Sequence, residues 1–356
     1  MKRIAQNVVL VAASILVSLV AVEAGLRLFV GGREPARGLR EMLGQSRAST
    51  PDPGVANVSL RGLVQASAHD LIVYELKPGL RATFIGVPVA INRAGFRERD
   101  LPQAKPSNTF RIVGLGDSEM FGWGVPAEAT YLRVLEDLLQ ARGDGIRYET
   151  LNFAVPGYNA VMEVETFRVL ARSYQPDLVV VGYIPNDDQL PNFLRQPSRR
   201  FPDNLYVYNL LVHGVRAMRK RAGDLMPFPT EPSEAQVAAR GNLPKQYRDM
   251  VGPEAVRRAY DGLGAMTREM SVPVVVMGFY RGRLDPSQVA ELEARSRFVF
   301  VEASDLRAAY QRKRGVTLTH EHLTLGPRDG HSNVLGHRVY ADGLYDLIIA
   351  RGLTAR

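Results

Sequence analysis

Cysteine is absent from the 356 residues, so no disulfide can form. This suits an exported chain that needs none and by itself assigns no compartment. The chain also lacks any Lys/Arg tract interleaved with aromatics. Its net charge of +8 comes almost wholly from Arg scattered among acids, which argues against a nucleic-acid groove and leaves at most an affinity for anionic surfaces. Internal repeats are missing, and so is a disorder-type composition. With 46% hydrophobic and 23% charged residues, the chain is packed and globular, with room for one large domain plus appendages.

A full-length apolar run is missing as well. The stretch from Val8 to Val22 is interrupted only by Ser14 and Ser18. At about 1.5 Å per residue it falls short of a hydrocarbon core of about 30 Å. A helix continued to Val30 spans the core if Glu23 and Arg27, four apart, pair on one face near the outer interface, where Arg can snorkel. Lys2 and Arg3 then stay cytoplasmic. The rival is a cleaved signal peptide, for which "VEA" before Gly25 offers small residues. The apolar pattern resumes at Leu26, Leu28 and Phe29, which favours the anchor. Either way the body lies outside the cytoplasm.

Beyond residues 1–30, residues 31–70 are rich in Gly, Pro, Ser and Arg and read as a linker. Residues 71–107 show short alternating stretches between Gly and Pro breaks, so a small β-rich segment is expected. From residue 108 to 356 strands alternate with helices. "FRIVGLGD", "RYETLNFAVPG", "PDLVVVGYI" and "VPVVVMGFY" read as strands, and the third is a continuous apolar run suited to a parallel sheet covered on both faces. Amphipathic helices separate them, among them "DPSQVAELEARSRFV" and "SDLRAAYQRKRG". A loop carrying "GPRDGHSN" precedes the closing helix. Residues 189–253 break the rhythm and read as an insertion. The fold class is α/β, a doubly wound, flavodoxin-like parallel sheet.

In such sheets ligands bind beyond the carboxyl ends of the strands. Ser118 follows the first strand, Gly157 the second and Asn186 the third, while Asp329 and His331 precede the last helix. All fall on one rim. Each has a plainer reading alone: "DS" before a helix is commonly a cap, and "VPGYN" a turn. Together, "GLGDSEMFGWG", "NFAVPGYN", "VVVGYIPNDD" and "DGHSNVLGH" resemble, in order, the blocks of the SGNH (GDSL-like) esterase and acyltransferase superfamily. "VAINRAGFRE" looks like the strand motif upstream of this domain in membrane-anchored bacterial members.

The resemblance implies Ser118 as nucleophile, His331 as general base with Asp329 as its orienter, and the Ser118 N–H, Gly157 N–H and Asn186 amide as oxyanion-hole donors. It also implies an extracytoplasmic esterase acting on small acyl esters, O-acetyl on a glycan above all. An O-acyltransferase of a surface polysaccharide and a non-catalytic glycan-binding protein with the same fold are the alternatives. The chemistry calls for the same residue types, because a serine hydroxyl needs an imidazole to take its proton and an oxyanion needs preorganised donors. It calls for no cofactor and no metal.

Two features depart from the family pattern. Asp329 stands two residues before His331, where many members have three, and "GYIPND" is longer between Gly and Asn. His337 reads as structural packing. "HEH" at 320–322 would put two imidazoles on one face if it were a strand, with no third metal ligand nearby. Phe121, Trp123 and Tyr158 either line a pocket or pack in the core.

Overall fold

The computed structural model describes residues 6–7, 14, 17–25, 56–191, 247, 249–279, 286–327 and 329–354. The chain forms two compact units, one of Met1–Ser46 and Arg195–Gly241 and one of Arg47–Leu194 and Asn242–Arg356. In the first, residues 17–25 are helical, with Val17, Val20 and Val22 exposed. Among the described residues no helix is long and apolar enough to cross a membrane. Much of the expected anchor and most of the expected insertion lie outside the described residues.

The second unit starts earlier than the sequence reading places it. Asn57 bridges to Thr83, and a helical turn α1 (Leu60–Leu63) leads into β1 (Val64–Ala66), which pairs antiparallel with β2 (Tyr74–Leu76). The end of the expected linker is therefore part of the folded body. A second hairpin, β3 (Arg81–Phe84) and β4 (Val87–Ala90), follows.

The main sheet is all parallel. Its strands are β5 (Thr109–Leu115), β6 (Arg147–Asn152), β7 (Leu178–Tyr183), β8 (Val274–Gly278) and β9 (Phe298–Glu302), in the spatial order β6-β5-β7-β8-β9. Reversal of strand order beside β5 creates the switch point at which doubly wound sheets bind ligands. The helices are α2 (Ser118–Phe121), α3 (Tyr131–Gln140), α4 (Ala160–Val169), α5 (Pro253–Glu269), α6 (Pro286–Arg295), α7 (Ala303–Arg314), α8 (His320–Leu323) and α9 (Val334–Ala350). Strand alternation divides the core in two. Phe110, Ile112, Val180, Val275 and Met277 pack with Leu135 of α3, Leu306 of α7 and Leu344 of α9. Val113, Leu115, Val179, Val181 and Val276 pack with Phe167 of α4, Tyr260 of α5 and Leu292 of α6.

Three local readings are corrected. The helix expected to run on through residues 298 and 299 ends at Arg295, and Phe298–Glu302 forms a fifth strand; its alternating aromatic and β-branched residues suit a pleated edge better than a helix. The loop around "GPRDGHSN" contains an antiparallel ribbon, β10 (Thr324–Gly326) with β11 (Asp329–Ser332). "HEH" lies in helical turn α8, where His322 Nδ1 accepts the Thr319 N–H as part of a capping box.

Candidate active site

Asp117 ends the turn after β5 and caps α2, its Oδ1 accepting the Glu119 N–H at 3.1 Å. That leaves Ser118 at the first position of a one-turn helix, 7% exposed. Asn152 at the end of β6 steadies the turn by donating to the Met120 carbonyl at 2.9 Å. Arg97, from the "NRAGFRE" stretch, is buried and donates to the carbonyls of Phe121, Gly122 and Val125 at 2.7, 2.8 and 2.7 Å. No carboxylate pairs directly with it among the described residues, and burial pulls its guanidinium down to about 10 although Glu128 and Glu98 raise it. The backbone dipoles of the turn solvate this cation instead.

Ser118, His331 and Asp329 are brought into one hydrogen-bonded chain. His331 Nδ1 lies 2.6 Å from Asp329 Oδ1, and His331 Nε2 lies 2.8 Å from Ser118 Oγ. The two-residue spacing is met by geometry: Asp329 and His331 both belong to β11, and residues two apart on a strand share a face. The His331 N–H also donates to Asp329 Oδ1 at 3.1 Å. With Nδ1–H donating to the carboxylate, Nε2 is free to accept the Ser118 proton. The other carboxylate oxygen of Asp329 accepts the Trp123 indole N–H at 3.2 Å. The same indole stacks on the imidazole, ring centroids 4.9 Å apart and planes 17° from parallel.

The charges are arranged around the imidazole. Burial opposes its protonation, but the bond to Asp329 and the nearby Glu119, Asp329 and Asp117 carboxyls outweigh it and hold His331 above its ordinary value. Burial likewise pushes Asp329 up, and the bonds to His331 and Trp123 carry it below the usual carboxylate range. Glu119, buried beside His331, accepts the Ser332 N–H at 3.3 Å. Burial pushes its carboxyl up to about 7 against the pull of His331.

On the other side of Ser118 Oγ, Asp117 Oδ2 lies 3.2 Å away and accepts one hydrogen of Asn186 Nδ2, also at 3.2 Å. The Asn186 amide donates as well to the Tyr158 carbonyl at 3.3 Å, which places it beside the Gly157 turn. Gly157 has φ +81°, a conformation that suits glycine. This turn is held from below by a reciprocal pair: Tyr74 donates to the Pro156 carbonyl at 2.9 Å and Tyr158 donates to the Tyr74 carbonyl.

Residues the motifs did not single out thus complete the site: Glu119, Arg97 and Tyr74. Only "GDSE" and "GFRE" hinted at the first two. Phe121 and Tyr158 are core residues, whereas Trp123 belongs to the site. His337 is buried and its Nδ1 accepts the Tyr131 N–H at 3.1 Å at the start of α3. Burial pulls it down to about 3, so it is a neutral structural acceptor.

These features define a class: a doubly wound α/β protein with a Ser-His-Asp hydrogen-bonded chain at the carboxyl rim of its sheet. No protein-family model matches the chain, and no curated protein matches it in sequence. Among solved structures the fold is similar to GDSL-like lipases and esterases. One is the psychrotrophic esterase EstA from Pseudoalteromonas sp., with 13% identity over 67% of this chain and 97% of that one, at a TM-score of 0.37. Another is a Clostridium thermocellum family 3 carbohydrate esterase, with 13% identity over 69% and 98% and a TM-score of 0.38. A third is the acetyl xylan esterase AlAXEase, with 14% identity over 67% and 100% and a TM-score of 0.39. At such identities and TM-scores the likeness says nothing of activity, which has to be argued from the site.

Proposed function

We propose that this protein is a serine esterase of the SGNH type that cleaves small acyl esters, O-acetyl groups on a glycan in particular. The observation that carries the reading is the unbroken chain from Asp329 through His331 to Ser118 Oγ, with contacts of 2.6 and 2.8 Å. Ser118 Oγ attacks the acyl carbonyl carbon while its proton passes to His331 Nε2. The tetrahedral oxyanion collapses, the C–O bond to the alcohol breaks, and the imidazolium returns its proton to the leaving oxygen. Water then repeats the sequence in reverse and frees the acid. The Ser118 N–H, the Gly157 N–H and the Asn186 amide are assigned to the oxyanion. Asn186 holds both amide hydrogens in long contacts of 3.2 and 3.3 Å, and a full negative charge on the intermediate competes well for one of them.

The test is covalent labelling. A fluorophosphonate probe followed by peptide mapping is expected to mark Ser118, and Ser118→Ala is expected to lose both the label and turnover of a short-chain acetyl ester while keeping its melting temperature. Turnover retained by Ser118→Ala refutes the assignment.

The location of the body outside the cytoplasm, behind an amino-terminal membrane anchor, is part of the same proposal and rests on Lys2 and Arg3 preceding the apolar run. A fusion after Arg356 to a reporter that works only outside the cytoplasm is expected to be active. Activity of a cytoplasm-only reporter overturns that topology, and a mature amino terminus at Gly25 replaces the anchor by a signal peptide.

A further inference from the structure

Phe84 pairs with Val87 in the β3–β4 hairpin, so the loop is only Ile85 and Gly86. Both have positive φ, 48° and 78°. This is the primed turn of two-residue hairpins, whose first place is suited to Asn, Asp or Gly. A β-branched residue there is an outlier, and backbone strain of this kind collects at sites of function. Ile85 gains little from burial in return, because it is 42% exposed.

The strained residue packs beside Gly124, the neighbour of the Trp123 that stacks on His331. A methyl group placed on Gly124 would come within 3.3 Å of Ile85 Cγ2 and 2.7 Å of Leu325 Cδ1. Ile85 and Leu325 therefore close over Gly124 from two sides, next to Trp123, whose ring covers one face of His331. Leu325 is also exposed, at 36%. It comes from β10, where Thr324 pairs with Ser332 and Gly326 with Asp329, so it lies between those two rungs, alongside the pair that carries the charge relay. Two exposed apolar side chains from distant hairpins thus meet on the imidazole flank of Ser118.

That flank has a defined role in ester cleavage. His331 must hand its proton to the leaving oxygen, so the alcohol lies on the imidazole side of Ser118 Oγ. The acyl oxygen lies on the side of Asn186 and Gly157. We propose that the exposed apolar side chains of Ile85 and Leu325, packed together over Gly124, form a subsite for the alcohol part of the ester and select alcohols that present an apolar face, whether an alkyl chain or the C–H face of a sugar ring. The proposal rests on the esterase reading and adds to it the side of the substrate that is discriminated.

The experiment uses the full chain and three esters whose carbonyl reactivity is closely matched: ethyl acetate, hexyl acetate and ethyl hexanoate. Ile85→Asn suits the turn and is expected to raise the melting temperature. It is expected to lower the ratio of kcat/KM for hexyl acetate over ethyl acetate by about tenfold, in line with the loss of a few methylene contacts. Leu325→Thr keeps strand character and is expected to lower the same ratio. Val316→Asn, at another exposed apolar position, is expected to leave it at the wild-type value. An unchanged ratio in Ile85→Asn and Leu325→Thr, or an equal fall in ethyl hexanoate over ethyl acetate, overturns the alcohol subsite while the esterase reading stands. A wild type that cleaves none of the three and leaves Ser118 unlabelled by fluorophosphonate removes both.

Discussion

Asp329 touches three groups at once: the imidazole Nδ1, the His331 backbone N–H and the Trp123 indole. Both of its oxygens are held, so the imidazole that leans on it is fixed in orientation and tautomer. Asp329→Asn offers a neutral amide instead, and kcat is expected to fall by about 100-fold to 10,000-fold. Because the carboxylate helps to hold His331 above its ordinary 6.5, the acidic limb of the pH–rate profile is expected to move to lower pH in this variant. Trp123→Phe keeps a ring over the imidazole and removes only the N–H. A hydrogen bond to a charged group is worth about 1.5–3 kcal/mol, so kcat is expected to fall by about tenfold to 100-fold with KM nearly unchanged. Equal changes in both constants would point to a substrate-binding indole instead. At this scale the motifs picked out Ser118, His331, Asn186 and the orienting Asp329, and left open what Trp123 and Glu119 do. Ser118, His331 and Asn186 are residue types that the chemistry demands, whereas Trp123 and Glu119 act only because chain-distant segments bring them to the imidazole.

Among the elements, the turn after β5 depends most on a residue from elsewhere. Arg97 fills three carbonyl lone pairs at Phe121, Gly122 and Val125, and its guanidinium lies 4.7 Å from the Phe121 ring centre. Arg97→Met leaves the Phe121 and Val125 carbonyls without that donor, each costing about 1–3 kcal/mol if water cannot reach it, while the Gly122 carbonyl keeps the Val125 N–H. Thermal unfolding is expected to show a loss of about 2 kcal/mol or more, and kcat is expected to fall because α2 carries Ser118, the proposed nucleophile. Arg97→Lys, which reaches fewer carbonyls, is expected to fall between the two. A melting curve unchanged in Arg97→Met would show that the turn holds itself. Long elements with a clear period were legible: β5, β7, α5 and α9 stand where the apolar pattern puts them. The β10–β11 ribbon was not, since strands of three and four residues, one of them the polar "DGHS", give no period to count and exist only through their pairing.

Across the whole molecule, carboxyl groups are buried beneath the rim at a density unusual for ordinary cores. Burial raises Asp117, pushes Glu119 up to about 7, and holds Glu163 and Asp187 well above the usual range, the last also through the neighbouring Glu163 charge. Each folded-state value is raised, so the folded chain binds more protons than the unfolded chain. For Glu119 the window runs from its ordinary 4.5 to about 7. Stability is present below that window and is lost as pH rises through it. His331, also raised, acts in the same direction; His337, pulled down from 6.5 to about 3, acts in the opposite direction between those values and offsets part of the carboxyl effect, while the lowered Asp329 matters only near its ordinary 3.8 and below. The melting temperature is expected to be higher near pH 5 than near pH 8, and Glu119→Gln is expected to shrink the difference. A melting temperature that rises across this range would contradict the picture.

The two small hairpins ahead of the sheet bear on the chain as a unit of inheritance. They supply Tyr74 to the Gly157 turn and Ile85 to the Gly124 side of Trp123, and the stretch that follows them supplies Arg97 to the turn carrying Ser118. A piece cut at residue 108 would keep Ser118, Asn186, Asp329 and His331 and lose the side chains that hold the turns around them. The sheet is therefore not a portable cassette. Recombination, or an engineer, can move this set of residues to a new setting only with the preceding segment attached, back to Asn57, which bridges to Thr83.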